Sequence, residues 1–161
     1  MADRQGRLTH VDEHGAARMV DVGDKPVTTR TASATGRVLV SPAVIELLRG
    51  EGVPKGDALA VARIAGIMGA KQTPSLIPLA HPLALDSVDI TCDLDPANGS
   101  IEVRSIVRCE GKPGVEMEAM TACAVAALTI YDMCKSAEKG ISIDGLQLVR
   151  KSGGKSGTWE R

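Results

Sequence analysis

The chain contains no phenylalanine, and Tyr131 and Trp159 are the only aromatic residues among its 161. Binders of single-stranded nucleic acid stack bases on aromatic rings, so their platforms are missing. With 19 basic against 20 acidic side chains, net charge −1, no global field would steer the chain onto nucleic acid. Any anion site must be built locally. The four cysteines (Cys92, Cys109, Cys123, Cys134) form no C-x-x-C pair, which excludes a zinc knuckle or a disulfide framework and predicts free, mostly buried thiols. No apolar run reaches the length of a membrane span, and the first thirty residues are polar and charged rather than signal-like. The expectation is a cytoplasmic protein with neither membrane nor nucleic acid as partner.

What the chain does contain is a 43% hydrophobic content at a length suited to one domain with a substantial core. That core must be built from Ala, Val, Ile, Leu and Met, whose small side chains allow close approach between elements. Residues 1–26 lack periodicity and read as an arm that orders late or on binding. Residues 27–150 read as a single domain, and 151–161 as a Gly- and Lys-rich tail.

Within the domain, TTRTASATGRVLV is a strand by its β-branched content. SPAVIELLRG is a short helix with Ser41 as N-cap, Pro42 at its first position and Gly50 past its end. Asp57 caps a second helix, ALAVARIAGIMGAK, whose only charge before Lys71 is Arg63, so it should be buried nearly all round. Two strands, SVDITCDL and SIEVRSIVRCE, form a hairpin through DPANG. A long helix from Val115 stops at Gly140, and ISIDGLQLVR closes with a strand. This order is the split βαβ pattern of an α+β, ferredoxin-like antiparallel sheet with helices packed on one face. A helix lined with Ala on every side is not satisfied by one small sheet, so another subunit is expected to cover it.

Several residues stand out against this background. In QTPSLIPLAHPLAL three prolines forbid a regular helix and predict a stiff, extended loop around His81. The long helix ends YDMCKSAEK, with Asp132 three residues before Lys135 and seven before Lys139 on one face. Asp132 directly follows thirteen uncharged residues, Ala119 to Tyr131, which predicts partial desolvation and a shifted pKa. Glu116 and Glu118 occupy the first turn, where the helix dipole stabilises acids, but they point roughly 200° apart. One of them therefore faces the core or an interface, and Glu118 adjoins the apolar run. Lys55 precedes a helix N-terminus, an awkward place for a cation unless an anion lies between. RKSGGKSG sets Arg150, Lys151 and Lys155 on a glycine-rich backbone, yet Val149 stands where a P-loop needs glycine.

The loop LIPLAHPL, the helix GVEMEAMTACAVAALTIYDMCK, the turn KGDALAVARIAGIMGAK and the tail KSGGKSG together resemble, in order and spacing, the MoaC family. The likeness runs from about Leu8 to Gly157. Members are cyclic pyranopterin monophosphate synthases of molybdenum cofactor biosynthesis. The resemblance implies a lyase that turns 3′,8-cyclo-7,8-dihydro-GTP into cyclic pyranopterin monophosphate with release of pyrophosphate. It also implies a homo-oligomer, a trimer of dimers. Asp132 matches the family's catalytic aspartate and Lys135 the lysine beside it. Leu79, Ala80, His81, Met117 and Glu118 match substrate contacts, and Lys55, Glu116, Lys151 and Lys155 match further pocket residues. Many members carry Cys where Ala80 stands, which removes any thiol mechanism at that position here.

The chemistry of opening a purine, closing a pterin ring and forming a cyclic phosphate needs paired acids and bases and no redox cofactor; Mg2+ accompanying the triphosphate is compatible with it. A triphosphate calls for several cations, with Lys55, Lys151, Lys155 and Arg30 as candidates. His81 either holds a substrate oxygen or shuttles a proton. Glu118 and Asp132 lie about 21 Å apart along one helix at 1.5 Å per residue, so serving one substrate requires two chains and a site at a dimer interface. The competing expectation is a non-catalytic, oligomeric nucleotide- or phosphate-binding paralogue.

Overall fold

The structure, a computed structural model, describes residues 9–50 and 57–161. Strand β1 (Thr28–Leu39) alternates inward Ala32, Ala34 and Val38, all buried, with outward Thr and Ser. This is the two-residue period of a sheet with one face on the core. With β2 (Ser87–Asp95), β3 (Ser100–Gly111), β4 (Ser142–Ser152) and β5 (Trp159–Glu160) it builds a sheet of order β2-β3-β1-β4-β5, antiparallel throughout. The first four strands and their two helical crossovers have the ferredoxin-like arrangement. In the β2–β3 turn the Asn98 side chain donates to Asp95 Oδ2 at 2.7 Å, and Gly99 takes φ +60°.

Strand β5 lies in the segment read as a tail. Its hold on β4 comes from backbone donation by Arg161 to the Val149 carbonyl at 2.9 Å and from Arg161 Nε to the Leu148 carbonyl at 3.0 Å. The Arg161 guanidinium also lies 5.7 Å over the Trp159 ring.

Four helices follow the sequence pattern with three differences. Helix α1 (Pro42–Arg49) receives no side-chain cap from Ser41; instead the Ser41 N–H donates to the Glu138 carboxylate at 2.8 Å. Helix α2 (Ala58–Lys71) is capped as expected, Asp57 Oδ1 accepting from the Ala60 N–H at 2.9 Å. The proline loop opens with a single turn, α3 (Thr73–Leu76), which tolerates Pro74 because a first-turn residue needs no hydrogen-bonded N–H. Helix α4 (Glu116–Cys134) stops six residues before Gly140, its chain turning away so that Glu138 can reach Ser41. Lys139 consequently leaves the helical face of Asp132.

Helix α4 lies on β1, β3 and β4, with α2 beside it over β2. Their contact is closest at two glycines. A Cβ on Gly66 would stand 2.3 Å from Ile90 Cδ1 and 2.8 Å from the Ala122 carbonyl oxygen, and one on Gly69 would stand 2.8 Å from Val125 Cγ2. The cover for α4 that the sequence assigned to another subunit is thus supplied in part by α2. In exchange α2 is not buried all round: Val61, Ile64 and Met68 form an exposed stripe, joined by Leu128 of α4. By length and hydropathy α4 could cross a bilayer, against the expectation that no run reaches a span. Its packing against the sheet and α2 accounts for that apolarity.

Gly66→Ala should lower the thermal midpoint. The helix-propensity gain of about 1 kcal/mol is outweighed by an overpacking cost of about 1–3 kcal/mol, because the Ala122 carbonyl cannot rotate away. A raised midpoint by calorimetry would contradict the close contact.

Candidate active site

A cavity of about 780 Å3 opens where the chain leaving α3 meets the N-terminal end of α4. Its walls include the described part of the N-terminal arm, the proline loop, the GKPG turn before α4 and the glycine loop after β4. It brings together Arg30, Leu79, Ala80, His81, Glu116, Met117, Glu118, Lys151 and Lys155, nine of the candidate residues. Lys55 lies outside the described residues. Three basic residues to which the sequence reading gave no role, His10, Lys25 and Lys112, also line it. Their signal was available: DKPV leads into β1 and GKPG leads into α4, so each lysine sits at the mouth of an element. The arm is held there by Lys112, whose ammonium donates to the Gly23 carbonyl.

Glu118 is only 3% exposed. Burial pushes its carboxyl from the ordinary 4.5 up to about 7; hydrogen bonding to its own backbone N–H opposes the rise, and the Glu116 charge adds to it. Glu116 folds back over Gly114, where a Cβ would meet its Oε2 at 1.9 Å, and its Oε1 accepts from Lys151 Nζ at 2.8 Å. The two acids of one helical turn therefore have different fates, as their opposed directions require. His81 is half-buried at the cavity wall, held between Pro78 and Pro82.

Asp132 and Lys135 are not in this cavity. They pair with each other on the last turn of α4, with side chains 59% and 50% exposed. The partial desolvation expected of Asp132 is absent in the single chain, because α4 runs out beyond the core and its inward neighbours are Met133 and Cys134. Donation to Asp132, together with that carboxylate's charge, pushes the Lys135 ammonium up, so it stays protonated. Fourteen residues of helix separate Asp132 from Glu118.

Burial pushes the Cys92 thiol up to about 11 and the Cys123 thiol to about 12, which leaves them protonated and unreactive. Among the described residues no three of His, Cys, Asp and Glu cluster as metal ligands. A second concavity of about 690 Å3 between α1, α2 and β2 holds none of the candidates that lie among the described residues.

The model of the MoaC family matches residues 19–154. The chain belongs to the MoaC family. It is 62% identical over 159 residues to the cyclic pyranopterin monophosphate synthase of Streptomyces coelicolor, covering 99% of this chain and 92% of that protein. It is 57% identical over 162 residues to the protein of the same name from Nocardioides, covering 100% and 99%. The Chloroflexus aggregans protein of that name is 55% identical over 155 residues, covering 96% and 94%. The matched span takes in every candidate of this MoaC chain except Lys155, which lies one residue beyond it.

A carboxyl raised in the folded state makes stability greatest while it is protonated. Stability falls as pH climbs from the ordinary 4.5 through about 7. Glu118→Gln should therefore be more stable than the parent above pH 7, by up to about 3 kcal/mol at 1.36 kcal/mol per unit, and level with it near pH 4. Urea midpoints across that range read the difference; one independent of pH would place the Glu118 carboxyl in water.

Proposed function

We infer that this chain is a cyclic pyranopterin monophosphate synthase of molybdenum cofactor biosynthesis, a lyase acting on 3′,8-cyclo-7,8-dihydro-GTP and releasing pyrophosphate. The observation that carries this reading is the cavity, which joins a basic glycine loop to a buried carboxyl of near-neutral pKa, in a chain 62% and 53% identical to two relatives of that name. Forming a cyclic phosphate from a triphosphate means that a sugar hydroxyl attacks the α-phosphorus and pyrophosphate leaves. Lys151 and Lys155 on the glycine loop suit the charge that develops on that leaving group. Opening the purine and closing the pterin are proton transfers. Asp132 with protonated Lys135 supplies one acid–base pair, and Glu118, near half ionisation at neutral pH, can donate or accept as a second. His81 faces the same substrate from the proline loop. Any Mg2+ would arrive with the triphosphate.

The two sets of groups lie at opposite ends of α4, about 21 Å apart, more than one base and its sugar can span. We therefore assign the complete site to two chains in a homo-oligomer of dimers. The exposed stripe Val61, Ile64 and Met68 on α2, with Leu128, lies between those ends and suits a second copy as cover. A two-fold axis through it would bring the Asp132 end of one chain to the cavity of the other.

Asp132→Asn and Lys135→Ala should each lower turnover at least ~10²-fold with the fold retained, measured as pterin fluorescence after oxidation and as pyrophosphate release. Co-refolding chains bearing only Asp132→Asn with chains bearing only Glu118→Gln should restore about a quarter of full activity, because half the dimers are mixed and each has one intact site. Mixed dimers that form and stay inactive would exclude the shared site. Normal turnover by either single variant would move the acid–base pair elsewhere, and absent turnover with intact pyrophosphate binding by the parent would favour a non-catalytic binder.

A further inference from the structure

We propose that Arg30 is a positioning residue that ties the walls of the cavity together, rather than a cation that contacts the triphosphate. The proposal rests on the anion site assigned to that cavity. Arg30 is 7% exposed, deep for an arginine. Its Nε donates to the Gly111 carbonyl at 3.1 Å and its Nη2 to the Lys112 carbonyl at 2.7 Å, with a longer contact of 3.4 Å from Nη2 to the Pro26 carbonyl. Those carbonyls belong to two different walls: the end of the arm, and the turn that carries β3 into α4.

A third wall rests on the same side chain. A Cβ on Gly154 would stand 1.7 Å from Arg30 Nη1, and one on Gly153 would stand 2.2 Å from the Thr29 carbonyl oxygen. Both glycines take positive φ, +100° at Gly153 and +71° at Gly154, so the backbone between Lys151 and Lys155 lies down against the guanidinium in a conformation other residues resist. One planar group thereby sets the arm, the GKPG turn and the glycine loop relative to each other. Only a rigid fork with several donors can do this; a lysine carries the same charge on a single flexible point. The sequence alone pointed to Arg30 as one of four triphosphate cations. The structure directs at least two of its N–H groups at backbone carbonyls.

Untying the walls leaves the lysines in place but makes a ligand order the loops as it binds, which weakens affinity. The test compares the full-length oligomer carrying Arg30→Lys, Arg30→Met or Lys151→Ala, with inorganic pyrophosphate as probe in calorimetry and with amide hydrogen exchange as a second readout. Arg30→Lys and Arg30→Met should weaken pyrophosphate alike, by ~10-fold or more, and both should speed exchange at 111–114 and 153–155. Lys151→Ala should weaken pyrophosphate with no faster exchange at 111–114. Retention of parental affinity and exchange by Arg30→Lys would overturn the proposal and return Arg30 to the role of a charge. So would weakened binding with exchange unchanged in both Arg30 variants. If Arg30→Met does not fold, the charge-conserving Arg30→Lys decides alone. If Lys151→Ala binds pyrophosphate normally, it is the anion site that fails, and the exchange data still decide whether Arg30 holds the walls.

Discussion

Close packing of α2 against α4 is the contact on which the rest of the molecule depends. It is possible because Gly66 and Gly69 present no Cβ where Ile90, the Ala122 carbonyl and Val125 already stand. With α2 drawn in, α4 is packed against the sheet on one side and a helix on the other, and it becomes a strut whose ends are fixed in space. One end carries Glu116 and Glu118 into the cavity, and the other carries Asp132 and Lys135 into solvent. A helix cannot shorten, so the separation of these groups is a rigid consequence of its 1.5 Å rise. The same packing displaces the unpartnered apolar surface from α4 onto the outer face of α2.

The cavity brings carboxyls and cations together without setting the acids against an anion. Glu116 is paired with Lys151, so its charge is already compensated. Glu118 is held by burial near half protonation at neutral pH, so it opposes a phosphate less than a solvated glutamate would, and it retains a proton to give. Lys25, Lys112 and Lys155 contribute charge from three separate loops. A chain of net charge −1 can therefore hold a locally cationic site, because the sign of a pocket depends on which side chains the loops converge, not on their sum.

Loops of this kind need fixed ends. The glycine loop is anchored on one side by β5 and the Arg161 that follows it, which donates to two carbonyls of β4, and on the other by its rest on Arg30. The arm is anchored by Lys112, the GKPG turn again by Arg30. The ties made by Arg30, Arg161 and Lys112 all end on backbone carbonyls. Fixing a loop before the ligand arrives removes an ordering cost from the binding step.

Much of this was legible in the sequence, and the boundary is physical. The two-residue period of β1, the Asp57 cap, the DPANG turn and the apolar length of α4 are consequences of each segment's own chemistry, so the sequence by itself determined the ferredoxin-like order of elements. It also determined that Glu116 and Glu118 must part company, since their spacing on a helix allows nothing else. It could not determine that Glu138 would leave α4 to cap α1, that Trp159 and Glu160 would add a strand, or that Asp132 would emerge into solvent. The first depends on a partner far along the chain, since Glu138 and Ser41 are 97 residues apart, and so does the tie from Arg30 to the Lys112 carbonyl, 82 residues away. Which of many distant carbonyls an arginine meets is decided only when the sheet has brought them within 3 Å, because a hydrogen bond has no reach beyond contact.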